Sequence, residues 1–271
     1  MNINTLPVEI MDCILSHIPF PQPLLATLSL VQQDWYSFFS RRLYRKPIFP
    51  KHASLTLFAR RLTPRHVPLL LDLDLSPNAN DIDDVLLWQI ASALTTATPQ
   101  LTHLNLSCCM GITDQSAIPL FKSIGPTLTT VALSHCSYIT NFSLTLLATH
   151  SPALETLILS STSLFDPHSL VPLGFHTRCL RSIDLADCPW VTDATLLRDL
   201  RPLSSLRALR VSRCISVTPA AICGFVADHP WLEEIEIEGM VEMTDAQIAK
   251  MSGWRPSEPW RRWGGWWKRW I

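Results

Sequence analysis

The hydrophobic residues of this chain follow one pattern from Leu70 to about residue 252. The template L-x-x-L-x-L-S-x-C-x-x-I-T-D, followed by a stretch with helical spacing, recurs along this region. Its leading residues are separated by one step of 31 residues, one of 27 and then steps of 26; they are Leu70, Leu101, Leu128, Leu154, Leu180, Leu206 and Leu232. Because a fixed period of this length is typical of stacked repeats, the pattern predicts a solenoid of about seven units.

Within each unit the template predicts a short strand followed by a helix. Apolar residues alternate with polar ones, as in Leu104 and Leu106, so one side of the strand points inward. One unit cannot bury that side by itself, and stacked units bury it in a continuous core. The predicted fold class is therefore α/β, with parallel strands on one side of the solenoid and helices on the other.

Helix starts and cysteines also recur at repeat-spaced positions. Asp166-Pro167 and Thr218-Pro219 are typical of a helix N-terminus, because the first side chain can cap the helix and proline suits the first turn. We expect the cysteine column to be buried and structural, since its spacing fits neither a usual zinc site nor a disulfide framework. No metal or cofactor is expected. The column holds Asn78, Cys109, Cys136, Thr162, Cys188, Cys214 and Met240.

Residues 70–252 resemble the cysteine-containing leucine-rich-repeat family. Two of the best copies are LTHLNLSCCMGITD from Leu101 and LRSIDLADCPWVTD from Leu180. The resemblance implies a curved solenoid with the parallel sheet on its concave side and the helices on its convex side.

Residues 6–46 have a different pattern, which predicts three short amphipathic helices. Their apolar stripes contain Leu6, Ile10, Ile14 and Ile18, then Leu24, Leu28 and Val31, then Trp35, Phe38, Phe39 and Leu43. One interpretation is a helical cap that covers the open apolar end of the first repeat.

A second interpretation rests on resemblance, since LPVEIMDCILSHI followed by LSLVQQDWYSFFSRRLY is similar to the F-box over about the first 48 residues. Gln32 and Gln33 depart from the family pattern, which often has a cysteine and a basic residue there. The resemblance implies docking onto a Skp-family adaptor and, through it, a cullin. It assigns adaptor contact or internal packing, without dividing the two roles, to Leu6, Pro7, Ile10, Ile14, Leu15, Val31 and Trp35.

The resulting prediction is an F-box at 1–48, a linker or N-terminal cap at 49–69, the solenoid at 70–252 and a basic tail at 253–271. The tail, from Trp254 on, carries six of the ten tryptophans. We expect it to cover the last repeat. A linear motif, an interfacial membrane contact and an aberrant terminus remain alternatives.

Strand alternation predicts which side chains face a protein substrate. The third and fifth places of the template flank the inward residue and share one face. An arginine group in the sixth repeat suggests a site for an acidic or phosphorylated degron, and a self-neutralised surface is the alternative. The substrate-binding candidates are His103, Asn105, Asp184, Arg207, Arg210, Glu234 and Glu236.

Composition narrows the function. A formal net charge of −1 and 47% hydrophobic residues favour no nucleic-acid partner, and no apolar run is long enough to span a bilayer. We expect a cytoplasmic or nuclear protein without membrane contact. Because catalytic motifs are lacking, the chain is predicted not to be an enzyme. The predicted role is substrate recognition in a Skp–cullin–F-box ubiquitin ligase; the alternative is a scaffold or inhibitor that binds a regulatory protein.

Overall fold

The computed structural model describes Ile10, Cys13, residues 22–31, 33–163 and 165–239, and two strands at 261–263 and 266–268. Four of the predicted adaptor residues, Leu6, Pro7, Ile14 and Leu15, lie outside the described residues. Ile10 and Cys13 are helical.

Seven parallel strands, each three residues long, form one sheet in chain order. The middle residue of every strand is buried, and neighbouring strands pair place for place, as in Leu104 with Val131. The repeat period and the predicted alternation are therefore confirmed. The strands are β1 (Asp72–Asp74), β2 (His103–Asn105), β3 (Thr130–Ala132), β4 (Thr156–Ile158), β5 (Ser182–Asp184), β6 (Ala208–Arg210) and β7 (Glu234–Glu236).

Helices fill the return segments of the first six repeats. The fifth repeat departs from the others, because its return segment is a π-helix at Thr195–Asp199. The α-helices that follow β1, β2, β3, β4 and β6 are α4 (Asp84–Leu94), α5 (Asp114–Ile124), α6 (Asn141–His150), α7 (Val171–His176) and α8 (Pro219–Asp228). Their numbering follows the helices with described bounds between residue 22 and the sheet, which are α1 (Gln22–Ser29), α2 (Gln33–Arg45) and α3 (His52–Arg61).

The two layers need different spacings, and this makes the sheet side concave. Hydrogen-bonded strands lie about 4.8 Å apart, whereas packed helices need about 8–10 Å. One strand and one helix per repeat can satisfy both distances only if the stack bends toward the strands. The side chains that flank the buried middle residues therefore face a concave surface.

Aspartates join the helix starts of successive repeats. The carboxylate of Asp114 accepts hydrogen bonds from the N–H and the hydroxyl of Thr140, the N-cap of α6, at 2.9 and 2.5 Å. Asp84 and Asp193 make the same pair of bonds to the next N-cap. The helix start predicted at Asp166-Pro167 is wrong, because this helix begins at Val171 with Leu170 as its N-cap. Here Asn141 donates its amide N–H to the carboxylate of Asp166 instead. The capping residues predicted from sequence thus also hold neighbouring repeats together.

The four cysteines of the column are buried, as the repeat predicted, whereas Asn78 is half-buried and Met240 lies outside the described residues. Cys136, Cys188 and Cys214 donate to backbone carbonyls of the preceding repeat at 3.1–3.2 Å. Burial raises the pKa of Cys109, Cys136 and Cys214 to about 12, which keeps these thiols protonated and poor nucleophiles. Thr162 takes the same place in the fourth repeat and donates its hydroxyl to a carbonyl of its own turn.

A second column, in the turn after each strand, has left-handed backbone conformation. Its members have φ between 57° and 67°, and only the last is glycine. A Cβ at Gly239 would lie 2.7 Å from Cγ of Arg213, so a side chain would clash there. The others are Cys108, His135, Ser161, Asp187 and Arg213.

Helices α1 and α2, which we call the helical module, have a small core of their own. Leu25, Phe38 and Phe39 form it, with Leu28, Trp35 and Leu43 packed against it. The predicted stripe is wrong at two of its three positions, because Leu24 and Val31 are exposed and Leu25 is buried in their place. Only Leu28 packs against the small core. The module meets the solenoid where the ring of Tyr44 stacks on His66.

Both ends of the sheet have neighbours beyond the repeats. Helix α3 places Leu55 and Ala59 in the main hydrophobic core ahead of the first strand. At the other end, β9 (Trp266–Lys268) pairs antiparallel with β7, and β8 (Arg261–Trp263) pairs with β9. Whether the tail stabilises the last repeat stays a prediction.

Candidate functional site

Concave-facing side chains from seven strands form the main candidate surface. The predicted residues on it fall into two groups. His103 and Asn105 belong to β2, whereas the others lie on β5 to β7 or beside them. Four strand spacings separate β2 from β6, which is about 19 Å. The structure therefore brings the predicted candidates together as two sites, not one.

Several fifth-place side chains are used by the fold itself. Asn105 accepts a hydrogen bond from the N–H of Ser107 at 3.0 Å, and Asp184 accepts one from Ala186 at 2.9 Å. Both bonds close the turn that follows the strand. These oxygens therefore already accept hydrogen bonds within their own turns. His103 is more exposed than Asn105.

Arg210 lies between two carboxylates on neighbouring strands. Its guanidinium is 3.3 Å from Oδ2 of Asp184 and 3.0 Å from Oε2 of Glu236. Glu236 is only 2% exposed, and its other carboxylate oxygen accepts a hydrogen bond from Ser212. A buried carboxylate of this kind depends on its cation, because removal of one partner would leave an uncompensated buried charge. Arg210 is thus a structural cation of this surface.

The other arginines of the sixth repeat are also paired. Arg213 binds Asp187 through two bonds of 2.6 and 2.5 Å, which lower the pKa of that carboxyl and raise the pKa of the guanidinium. Arg207 lies 3.7 Å from Glu233. The arginine group is therefore neutralised by carboxylates of neighbouring repeats, which supports the self-neutralised alternative. The 26-residue step of the repeat places these charges on neighbouring repeats, but which atoms pair depends on the side-chain conformations in the folded chain.

A second candidate surface is on the helical module. Leu30 is 83% exposed, Val31 63% and Ile10 47%, and Leu24 is exposed as well. Trp35 is half-buried, and its ring meets that of Phe39 edge-on at 5.6 Å. Val31 and Ile10 are therefore exposed, while Trp35 packs against the core of the module. The sequence analysis did not predict Leu30 as a contact residue, although its position beside Val31 at the end of α1 could have indicated it.

Metal binding and membrane insertion have simple geometric requirements. In the described part of the chain, no three His, Cys, Asp or Glu side chains cluster as metal ligands would. No helix among the same residues has both the length and the apolar character needed to span a bilayer.

Comparisons with known proteins find likeness in structure and not in sequence. No protein-family model matches the chain, and no curated protein matches it. The complex of Rad7 and Elc1 from yeast is similar at 15% identity and a TM-score of 0.46, covering 69% of this chain and 68% of that one.

Two bacterial leucine-rich-repeat structures are also similar. LegL7 from Legionella pneumophila is 14% identical with a TM-score of 0.42, covering 93% of this chain and 89% of that one. An internalin from Listeria monocytogenes is 13% identical with a TM-score of 0.44, covering 93% and 97%.

Proposed function

We propose that the chain is a recognition subunit of a Skp–cullin–F-box ubiquitin ligase. The helical module would bind the Skp-family adaptor, and the concave surface would bind a protein substrate. The chain would perform no chemical step; ubiquitin transfer would belong to other subunits, and this chain would raise the local concentration of the substrate.

The observation that carries the proposal is the exposed apolar surface of the helical module. Leu30, Val31 and Leu24 are exposed in a module whose own core is small. A cluster of exposed apolar side chains costs solubility and is typical of a surface that a partner covers. The F-box-like order of residues in the same segment supports a Skp-family adaptor as the proposed partner.

Co-purification with a Skp-family adaptor tests the proposal. Leu30→Glu combined with Val31→Glu should reduce recovery of the adaptor at least about tenfold, because it places two charges in an apolar interface. Ile215→Glu is a matched control, since Ile215 is also 83% exposed but lies in the sixth repeat. It should leave recovery unchanged.

The alternative is a scaffold or inhibitor that binds a regulatory protein without delivering it. If the unaltered chain forms no complex with any Skp-family adaptor, or if both variants lower recovery equally, the ligase proposal must be abandoned.

A further inference from the structure

A groove runs between α5 and α6 on the convex side of the solenoid. Because the stack bends toward the strands, the outer sides of neighbouring helices are spread apart and the groove opens to solvent. Its cavity of about 570 Å³ can accept apolar side chains of a partner. The residues that line it are Asp114, Ile118, Asn141, Phe142, Thr145 and Leu146.

Apolar side chains occupy the middle of the groove. Phe142 is 70% exposed in the first turn of α6, and Ile118 and Leu146 are half-buried. Further exposed aromatic side chains lie on the flanking helices, Trp88 on α4 and Phe175 on α7. Exposed apolar side chains beside a cavity are typical of a surface that contacts another protein.

The groove has opposite charges at its two ends. Asp114, Ile118 and Lys122 are spaced four residues apart, so they form one row along α5 that is acidic, then apolar, then basic. Asp166 adds a second carboxylate at the acidic end, where it accepts a hydrogen bond from Asn141 at 3.0 Å. Among the residues that the structure describes, neither carboxylate forms an ion pair with a lysine or an arginine. The acidic end is therefore suited to a cation of a partner.

A helix of a partner protein matches both the shape and the charges of the groove. Helices α5 and α6 are 11 and 10 residues long, which gives the groove a length of about 15 Å, or about three helical turns. A partner helix antiparallel to them places its last turn, where basic residues are favoured, beside Asp114 and Asp166. Its first turn, where acidic residues are favoured, then lies beside Lys122.

A second copy of the chain fits this groove less well. Two convex surfaces touch over a small area, whereas a specific interface buries about 800 Å² on each partner. A single helix can follow the groove over its whole length and present apolar residues at i, i+3, i+4 and i+7. The shape therefore favours a helix over a copy of the solenoid.

We infer that the α5–α6 groove binds an amphipathic helix of a protein partner, which runs antiparallel to α5 and α6 and packs its apolar stripe against Phe142, Ile118 and Leu146. The groove lies on the opposite side of the solenoid from the concave surface, so this partner and a substrate can be bound together. The inference goes beyond the proposed ligase role and does not rest on adaptor binding.

Fluorescence anisotropy with the full chain tests the inference. The probe is a labelled peptide of about 14 residues with an acidic first turn, leucines at i, i+3, i+4 and i+7, and a basic last turn. A control peptide has the same composition with its leucines spread around the helix. The probe should bind at least about tenfold more tightly than the control, because only the probe has an apolar stripe.

Two phenylalanine variants locate the binding site. Phe142→Gln should weaken binding of the probe at least about tenfold, because it removes an aromatic contact from the middle of the interface without a change in charge. Phe175→Gln is the matched control, since Phe175 is 68% exposed but lies on α7 outside the groove. It should weaken binding less than about twofold.

A charge-reversed peptide tests the orientation. With a basic first turn and an acidic last turn, it should bind at least about fivefold more weakly than the probe, because like charges then meet at both ends of the groove. Asp166→Lys should reduce this difference, since it replaces one carboxylate of the acidic end by a cation.

Four results would overturn the inference: no binding of the probe, equal binding of the control peptide, equal effects of the two phenylalanine variants, or equal binding of the charge-reversed peptide. Sedimentation velocity of the full chain provides a further test. A dimer that Phe142→Gln dissociates would assign the groove to a second copy and also overturn the inference. Failure here leaves the adaptor experiment unaffected, because that experiment concerns the helical module.

Discussion

Replacement of Asp114 by alanine should lower the free energy of unfolding more than most surface substitutions do. Three donors of the next repeat point at this carboxylate: the N–H and hydroxyl of Thr140 and the hydroxyl of Ser143, the last at 2.6 Å. The same carboxylate follows the N-cap of α5, so its charge also favours that helix N-terminus. Asp114→Ala removes all of these interactions together.

The loss in the free energy of unfolding depends on whether each hydrogen-bond donor can find another acceptor after the substitution. A hydrogen bond to a charged group contributes about 1.5–3 kcal/mol, but such values do not add. The Thr140 hydroxyl is only part-buried and can turn to water, whereas the fully buried Ser143 hydroxyl and the Thr140 N–H lose their acceptor at a junction between repeats. We expect a loss of about 2–4 kcal/mol in the free energy of unfolding, a large share of the roughly 5–15 kcal/mol of a typical domain.

Urea unfolding followed by circular dichroism measures this loss. Asp114→Asn should cost only about 1 kcal/mol, because its carbonyl oxygen still accepts from Thr140 and its amide can donate to the hydroxyl. Asp228→Ala is the control, since Asp228 makes an exposed ion pair with Arg201 at 3.2 Å. Its loss should stay below about 0.5 kcal/mol.

A double-mutant cycle with Thr140→Ala separates the hydrogen bonds between Asp114 and Thr140 from the capping of α6 by Thr140. The coupling energy between positions 114 and 140 should reach about 1 kcal/mol or more, since the two residues share two hydrogen bonds. The reasoning is refuted if Asp114→Ala costs no more than Asp228→Ala, or if the coupling is zero.

Three further predictions concern other repeat columns. Burial would raise the pKa of Asp84, but hydrogen bonds from Ser116 and Thr113 outweigh it and lower the pKa. The ionised carboxylate therefore stabilises the folded chain above about pH 4, and this stabilisation is lost as pH falls through the folded pKa. Asp84→Asn should flatten the acid side of a plot of the urea midpoint against pH. Ser161 has φ of 58°, so Ser161→Gly should stabilise by about 0.5–1 kcal/mol in urea unfolding, and a loss would contradict this. At pH 8 a thiol reagent should modify exposed Cys108 and spare Cys136, as peptide mapping would show; equal labelling would contradict the burial.

The repeat columns could be predicted from sequence because each is a local requirement repeated at one spacing. The buried middle residue of a strand, the N-cap and the cysteine each occupy a fixed place in the template, as Leu104, Thr113 and Cys109 show. The helical module was harder. Its apolar stripe predicted that Leu24 faces inward, but the structure places it outward. The apolar pattern of a short helix does not determine how the helix is rotated about its own axis.

Within the repeats, sequence by itself determined the period, the strand-and-helix unit and the face of the strand on which each side chain lies, because these depend on local geometry and on burial of one apolar side. Only the tertiary structure decided which charges meet. Arg210 lies between Asp184 and Glu236 since strand register sets carboxylates 26 residues away on both sides of it. The contact of α2 with the start of β1, where the N–H of Leu71 donates to the carbonyl of Arg45, is likewise a tertiary contact between segments whose patterns along the chain are unrelated.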